Sequence, residues 1–263
     1  MKKYLYIFKS EFMTSLQYVF NLVSKFLSYA LMIFIFVNLW KYIYSDPNEI
    51  INGYSISQMI WYIIITEILW MSLGGRGLTQ RISTDVKSGN IAYNITKPYN
   101  YVNYIIASHL GEILIKFLLF LLFGGILGFI LIGSFPSINI IGLFVVVISS
   151  IIAMIINALF SIIIGLFSFV IEDSSPFYWV YSKFLLILGT LFPIEFFPEI
   201  MQKIFKYSPI FAISYGPAKL FVDFNWNFAL LTILIQLGYL LLIYCITQFI
   251  YKKGVKKLNV NGG

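Results

Sequence analysis

His109, Glu112 and Lys116 stand three and four residues apart, so any helix that carries them shows all three on one face. An imidazole, a carboxyl and an amine in that order suit a proton relay, or a plain i,i+4 ion pair between Glu112 and Lys116. The uninterrupted apolar run begins only at Phe117, which places the charged half at the membrane edge or in the cytosol. Glu67 is a carboxyl inside an apolar stretch, expected to serve function or to pair with Lys116 or an arginine. Ser150, Asn157, Ser161 and Ser168 follow one another at seven, four and seven residues. At about 100° per residue they fall within about 40° of one another. In an apolar helix such a stripe marks a contact with another helix, or else a face turned to a substrate path.

Nothing here assembles into a catalytic centre. A phosphate-cradling G-x-x-x-x-G-K-[ST] is absent, as is H-E-x-x-H, and the chain has one histidine and one cysteine. Disulfides and cysteine metal sites are therefore excluded, and Cys245 is expected as a small buried hydrophobe. The chain is expected not to be an enzyme, to hold no cofactor, and to have no nucleic-acid partner.

The elements that carry these residues follow from composition. Of 263 residues 60% are hydrophobic and 11% charged, with a mean hydropathy of +0.87. A soluble domain carries about 25% charged residues, so lipid must solvate part of this chain. A bilayer core of about 30 Å needs about 20 apolar helical residues. Six stretches qualify, at 22–44, 56–73, 102–132, 140–171 (ending at Glu172-Asp173), 176–192 and 228–251. Strand-like alternation over about ten residues is missing, which argues against a membrane barrel. Lys9 and Glu11 break the early apolar run, so residues 1–20 are expected to stay on the chain. Leu5, Phe8, Phe12, Leu16 and Val19 form a stripe there, with Lys2, Lys9 and Glu11 elsewhere, which predicts a helix lying on the membrane surface.

Basic residues set the orientation. With both termini inside, Lys2, Lys3, Lys9, Arg76, Arg81, Lys87, Lys97, Lys252, Lys253, Lys256 and Lys257 are cytoplasmic, and the outer loops hold Lys203, Lys206 and Lys219. The long inner linker, 74–101, is punctuated by Gly74, Gly75, Gly77, Gly89 and Pro98, with a short amphipathic helix expected over Leu78–Lys87 and a break at Ser88-Gly89. Between the fifth and sixth spans, 193–227 holds Pro193, Pro198, Pro209 and Pro217 among dense Phe, Ile and Tyr. Pro198 suits a helix start and Pro209 a stop, giving a helix too short to span and too apolar for a solvated loop.

Two stretches carry a family resemblance. DVKSGNIAYNITKPYNYVNYIIASHL resembles the region of ABC-2 type permeases in which charged residues and a glycine precede an apolar-x-x-Pro turn, and FPIEFFPEIMQKIFKYSPIFAISYGPAKLF resembles their outer re-entrant region. The resemblance extends over essentially the whole chain. It implies an all-α membrane protein with six spans, an N-terminal interfacial helix, a cytoplasmic coupling helix and short outer re-entrant helices. It also implies docking of separate ATPase subunits at Asp85, Lys87, Gly89, Ile91, Ile95 and Pro98. Two copies, or one copy and a related permease, would enclose the path of an exporter in a bacterial inner membrane. A proton- or ion-driven transporter using Glu67, His109 and Glu112, and a membrane scaffold without transport, are the alternatives. The first would show two similar halves with broken helices at matching places, and no such repeat is visible.

Overall fold

Apolar runs in lipid can satisfy their backbone only by closing hydrogen bonds within the segment. The computed structural model of the chain is accordingly helical almost throughout. It describes the backbone of residues 2–46, 48–171 and 173–261, without the side chains at 19, 21 and 257–261. Glu172 and the side chains of Val19 and Lys257 thus lie outside the described residues.

Helix α1 (Lys2–Gln17) is followed by a 3-10 turn and then α2 (Val23–Ile43). A two-stranded hairpin comes next, β1 (Ile50–Ile51) and β2 (Tyr54–Ser55), before α3 (Ile56–Ser72). Its turn is Asn52-Gly53, both at positive φ (50° and 84°), the backbone that an Asn-Gly pair favours in tight hairpins. Ser55 caps α3 by accepting from the Gln58 N–H, and the Gln58 side chain reciprocates.

Beyond α3 lie α4 (Gly75–Lys87), α5 (Asn90–Ile95) and α6 (Tyr101–Ile132). Then come α7 (Ile140–Leu166), α8 (Ser175–Leu185), which runs on as a π-helical segment Leu186–Leu191, and α9 (Glu199–Phe205). A second π segment, Phe211–Tyr215, leads into α10 (Gly216–Val222), and α11 (Trp226–Asn261) ends the described chain. Asn100 and Asn139 start α6 and α7 by accepting from the N–H three residues on.

Five of the described helices are long and apolar enough to cross a bilayer, α3 and α4 counting as one stretch over Ile56–Lys87. The stretch from α8 through its π segment is shorter. The protein is an all-α membrane protein apart from the minimal hairpin.

Helix α3 is the centre, with twelve of its seventeen residues buried, among them Trp61, Tyr62 and Ile64. Helices α2, α6, α10 and the first π segment pack on it. The outer helices keep one apolar face outward, as Leu230, Leu234, Leu237 and Leu241 do along α11. Cys245 lies on that outward face rather than in the core, because it follows Leu241 by one turn.

Helix α1 lies along α6, with Gly111 against its Phe8–Phe12 backbone. Glu11 was expected away from the apolar stripe. It faces α6 instead, accepting from Ser108 Oγ at 3.0 Å, while Leu5, Met13 and Leu16 point outward. Arg81 Nη1 donates to the same hydroxyl at 2.9 Å, so a polar chain ties α4, α6 and α1 together.

Candidate functional site

Helix α4 is built by periodicity. Leu78, Thr79, Ile82, Ser83 and Val86 form its buried face, while Arg76, Gln80, Arg81, Thr84 and Lys87 stay outside. The buried face seats on α7. Gly165 permits this approach, since a Cβ there would lie 2.8 Å from that of Ile82. Thr79 Oγ1 donates to the Ser161 carbonyl at 3.0 Å, and Ser168 Oγ to Ser83 Oγ at 2.8 Å. Ser161 and Ser168 of the sequence stripe thus meet α4. Asn157 meets α8, its Oδ1 accepting from the Tyr181 hydroxyl at 2.8 Å. Ser150 bonds back to its own helix at Val146. Its neighbour Ser149 makes the contact with α11 instead, where Gln236 bridges to Ala212 as well. A glutamine inside an apolar helical run is a signal for such a bond.

After Gly89, whose φ of +76° turns the chain, α5 folds back on α4. Ile91 is 0% exposed, enclosed by Leu78, Ile82, Val86, Tyr101, Val102 and Ile105. Ile91, one of the docking positions that the resemblance implies, fills a groove in its own protein. Asp85 accepts from the Tyr101 hydroxyl at 2.7 Å, which joins α4 to the start of α6. Lys87, Gly89, Ile95 and Pro98 remain outside, together with Tyr93, over which Lys97 Nζ stands at 4.4 Å. The Pro98 carbonyl accepts from Lys3 of α1.

The charged trio of α6 is one contact group. Lys116 and Glu112 form an ion pair, and His109 Nδ1 lies 3.9 Å from Glu112. His109 is buried, with Nε2 at 3.0 Å from the Leu73 carbonyl at the end of α3. The half expected at the membrane edge or in the cytosol is partly enclosed by protein. Glu67 does not join it. It is fully buried in α3, and among the described residues neither oxygen has a hydrogen-bond partner and the pairing with Lys116 or an arginine is not made.

Beside α4 opens a cleft of about 750 Å³ between α2, the end of α3, α4 and α8. Three cations line it from three elements: Lys25 of α2, Arg76 of α4 and Lys183 of α8. Trp70, Tyr178 and Trp179 supply aromatic walls, with Lys183 Nζ 5.8 Å from the Trp179 ring. The acidic lining residue is Asp173, whose carboxylate accepts from the Ser175 N–H at 2.9 Å, which lowers its pKa.

The opposite end is organised by Glu195. Its two oxygens accept from the Tyr54 hydroxyl at 3.0 Å and the Tyr215 hydroxyl at 2.6 Å. Lys219 Nζ lies 3.9 Å from Glu195, 3.1 Å from Asp223, and 4.4 Å from the Tyr54 ring centre. Burial first, then Tyr215 and Glu195, raises the Tyr54 pKa well above the phenol range, so Tyr54 keeps its proton and donates. Pro193 precedes the short turn that carries Glu195, and Pro198 directly precedes α9. Pro209 opens the next helical stretch rather than only ending α9, and Pro217 sits in the first turn of α10. The two π segments cross where Gly189 meets Ser214. The Gly189 carbonyl accepts from Tyr62 and Ser214, both at 2.9 Å, and that of Thr190 from Thr66 at 3.1 Å. Carbonyls loosened by a wide turn are thereby satisfied within the protein.

No curated protein matches the sequence. A family model described as ABC-2 family transporter protein matches residues 13–262. That match takes in the central α3, the α4–α5 linker, the cleft and the Glu195 cluster, and on its extent the chain belongs to the ABC-2 family of membrane transporter proteins.

Proposed function

We propose that the chain is the permease subunit of an ATP-binding cassette exporter of a bacterial inner membrane, driven by separate cytoplasmic ATPase subunits. The stretch through α8 and its π segment serves as the fifth of six spans, and the segment from Pro193 to α10 as an outer re-entrant region. Both termini and the α4–α5 linker face the cytosol, where the basic residues concentrate. A second copy or a related permease completes the pathway. ATP is hydrolysed on the partner alone.

One observation carries this reading: an exposed amphipathic element, α4–α5, fastened by its buried face to α7 and lying directly after the central α3. A push on its outer surface would reach both helices. The outward residues Lys87, Tyr93 and Ile95 are the docking candidates, with Asp85 and Ile91 holding the element in shape.

The test is capture of a P-loop ATPase subunit by the membrane-embedded permease. Tyr93→Asp with Ile95→Asp should leave membrane insertion unchanged and abolish capture and transport. Normal capture by this variant would remove α5 from the docking surface. Labelling of Lys87→Cys in intact cells by an impermeant thiol reagent, in a Cys245→Ala background, would reverse the orientation. A proton-driven transporter fits less well, because Glu67 has no bond to the His109–Glu112–Lys116 group.

A further inference from the structure

From the cleft beside α4 we infer the chemical class of the cargo: an amphiphile with an anionic head, phosphate or carboxylate, drawn from the cytoplasmic leaflet. The inference rests on the exporter reading for its direction, but the site stands on its own geometry. Lys25, Arg76 and Lys183 are 51 and 107 residues apart in sequence and converge on one volume of about 750 Å³. Against these three cations the lining holds one described acid, Asp173, so the cleft carries an excess of positive charge.

Its walls continue into apolar surface. Leu27, Leu31 and Phe34 of α2 and Trp179, Val180 and Phe184 of α8 all point outward. A hydrocarbon tail can lie along those faces while the head meets the cations. Aromatic side chains at such a boundary offer an apolar ring to the tail and a face or polar edge to the head region. A wholly polar solute would leave the Trp70 and Trp179 walls unmatched, and a neutral lipid would leave three cations uncompensated. Each cation near an anionic head contributes about fivefold in binding, so three together contribute about 100-fold.

The test uses the full chain in phosphatidylcholine nanodiscs, without any ATPase. Brominated phosphatidylglycerol and brominated phosphatidylcholine are titrated as quenchers of tryptophan fluorescence, and Trp179→Phe identifies the cleft component. That component should be half-quenched at a mole fraction of the anionic lipid at least tenfold lower than of the neutral one. Lys25→Gln with Arg76→Gln and Lys183→Gln should erase the preference. Lys25→Arg with Arg76→Lys and Lys183→Arg should keep it, which guards against a merely misfolded variant.

Equal quenching by the two lipids would overturn the inference, as would a preference that survives charge removal. Competition by inorganic phosphate as strong as by the lipid would replace the amphiphile with a bare anion. Efficient disulfide formation between two Trp179→Cys copies, with no lipid effect, would assign the cleft to a second copy of the chain. Lipid selectivity without ATPase capture would leave the cleft standing and remove the exporter reading; capture without selectivity would do the reverse.

Discussion

At the basic end, α4 meets α7 through Ile82 on Gly165 and through hydroxyl contacts at Ser161, Ser83 and Ser168, with no charge in the seam. At the other end a single carboxylate, Glu195, draws in Tyr54, Tyr215 and Lys219 at a partly exposed position. The two joints differ in how they yield. Close-packed surfaces resist displacement because separating them opens voids, so they move together or not at all. Hydrogen bonds near water can be exchanged for bonds to water, and each contributes only about 1–3 kcal/mol net. The first joint suits the transmission of a displacement and the second suits release.

Variants can break that contrast. The largest effect is expected for Ile91→Asp, which puts an unpaired charge into an enclosed apolar site and should cost about 4 kcal/mol. Denaturant unfolding in detergent would measure it, with Ile95→Asp, on the exposed side of α5, changing stability by less than about 0.5 kcal/mol. If both variants were equally mild, α5 would not be seated as described. Next comes Gly165→Leu, whose side chain has no room against Ile82 and should cost about 2–3 kcal/mol. Disulfide formation between Ser83→Cys and Ser168→Cys, whose hydroxyls meet at 2.8 Å, would report whether α4 has been lifted.

At the opposite end Tyr215→Phe removes one donor from a carboxylate, for about 1.5 kcal/mol. Amide exchange should then quicken in the hairpin around Tyr54, because Glu195 connects the two. Exchange that quickens only at the linker would contradict the separation of the joints. The smallest change is expected for Lys219→Gln, about 0.5 kcal/mol, since its ion pairs border water. Salt should mask the Lys219→Gln effect and leave that of Gly165→Leu intact.

Sequence reading recovered the features that repeat or punctuate. Apolar runs fixed the long helices, and Gly74 and Gly89, both at positive φ, fixed the linker breaks. The face of α4 followed from its period. Ile91 escaped because a six-residue helix is too short to show a period, so its apolar residues looked equally free. Glu195 carries no local signal, since its partners at 54, 215 and 219 come from distant segments. The cleft was illegible for the same reason: Lys25, Arg76 and Lys183 are neighbours only after α2, α4 and α8 have packed. Glu11 was misplaced because an apolar stripe was assumed to seek lipid, whereas α1 found α6 first.

Helix α11 runs 36 residues from Trp226 to Asn261. At 1.5 Å per residue that is about 54 Å, roughly 24 Å more than the hydrocarbon layer is thick. The surplus makes the helix a ruler. A nitroxide walked along it would pass from one water phase through the oxygen-rich bilayer centre and into the other. Because α11 packs on α7, the depth read at each step also calibrates the depth of Ser149 and, through the same helix, of the seam with α4.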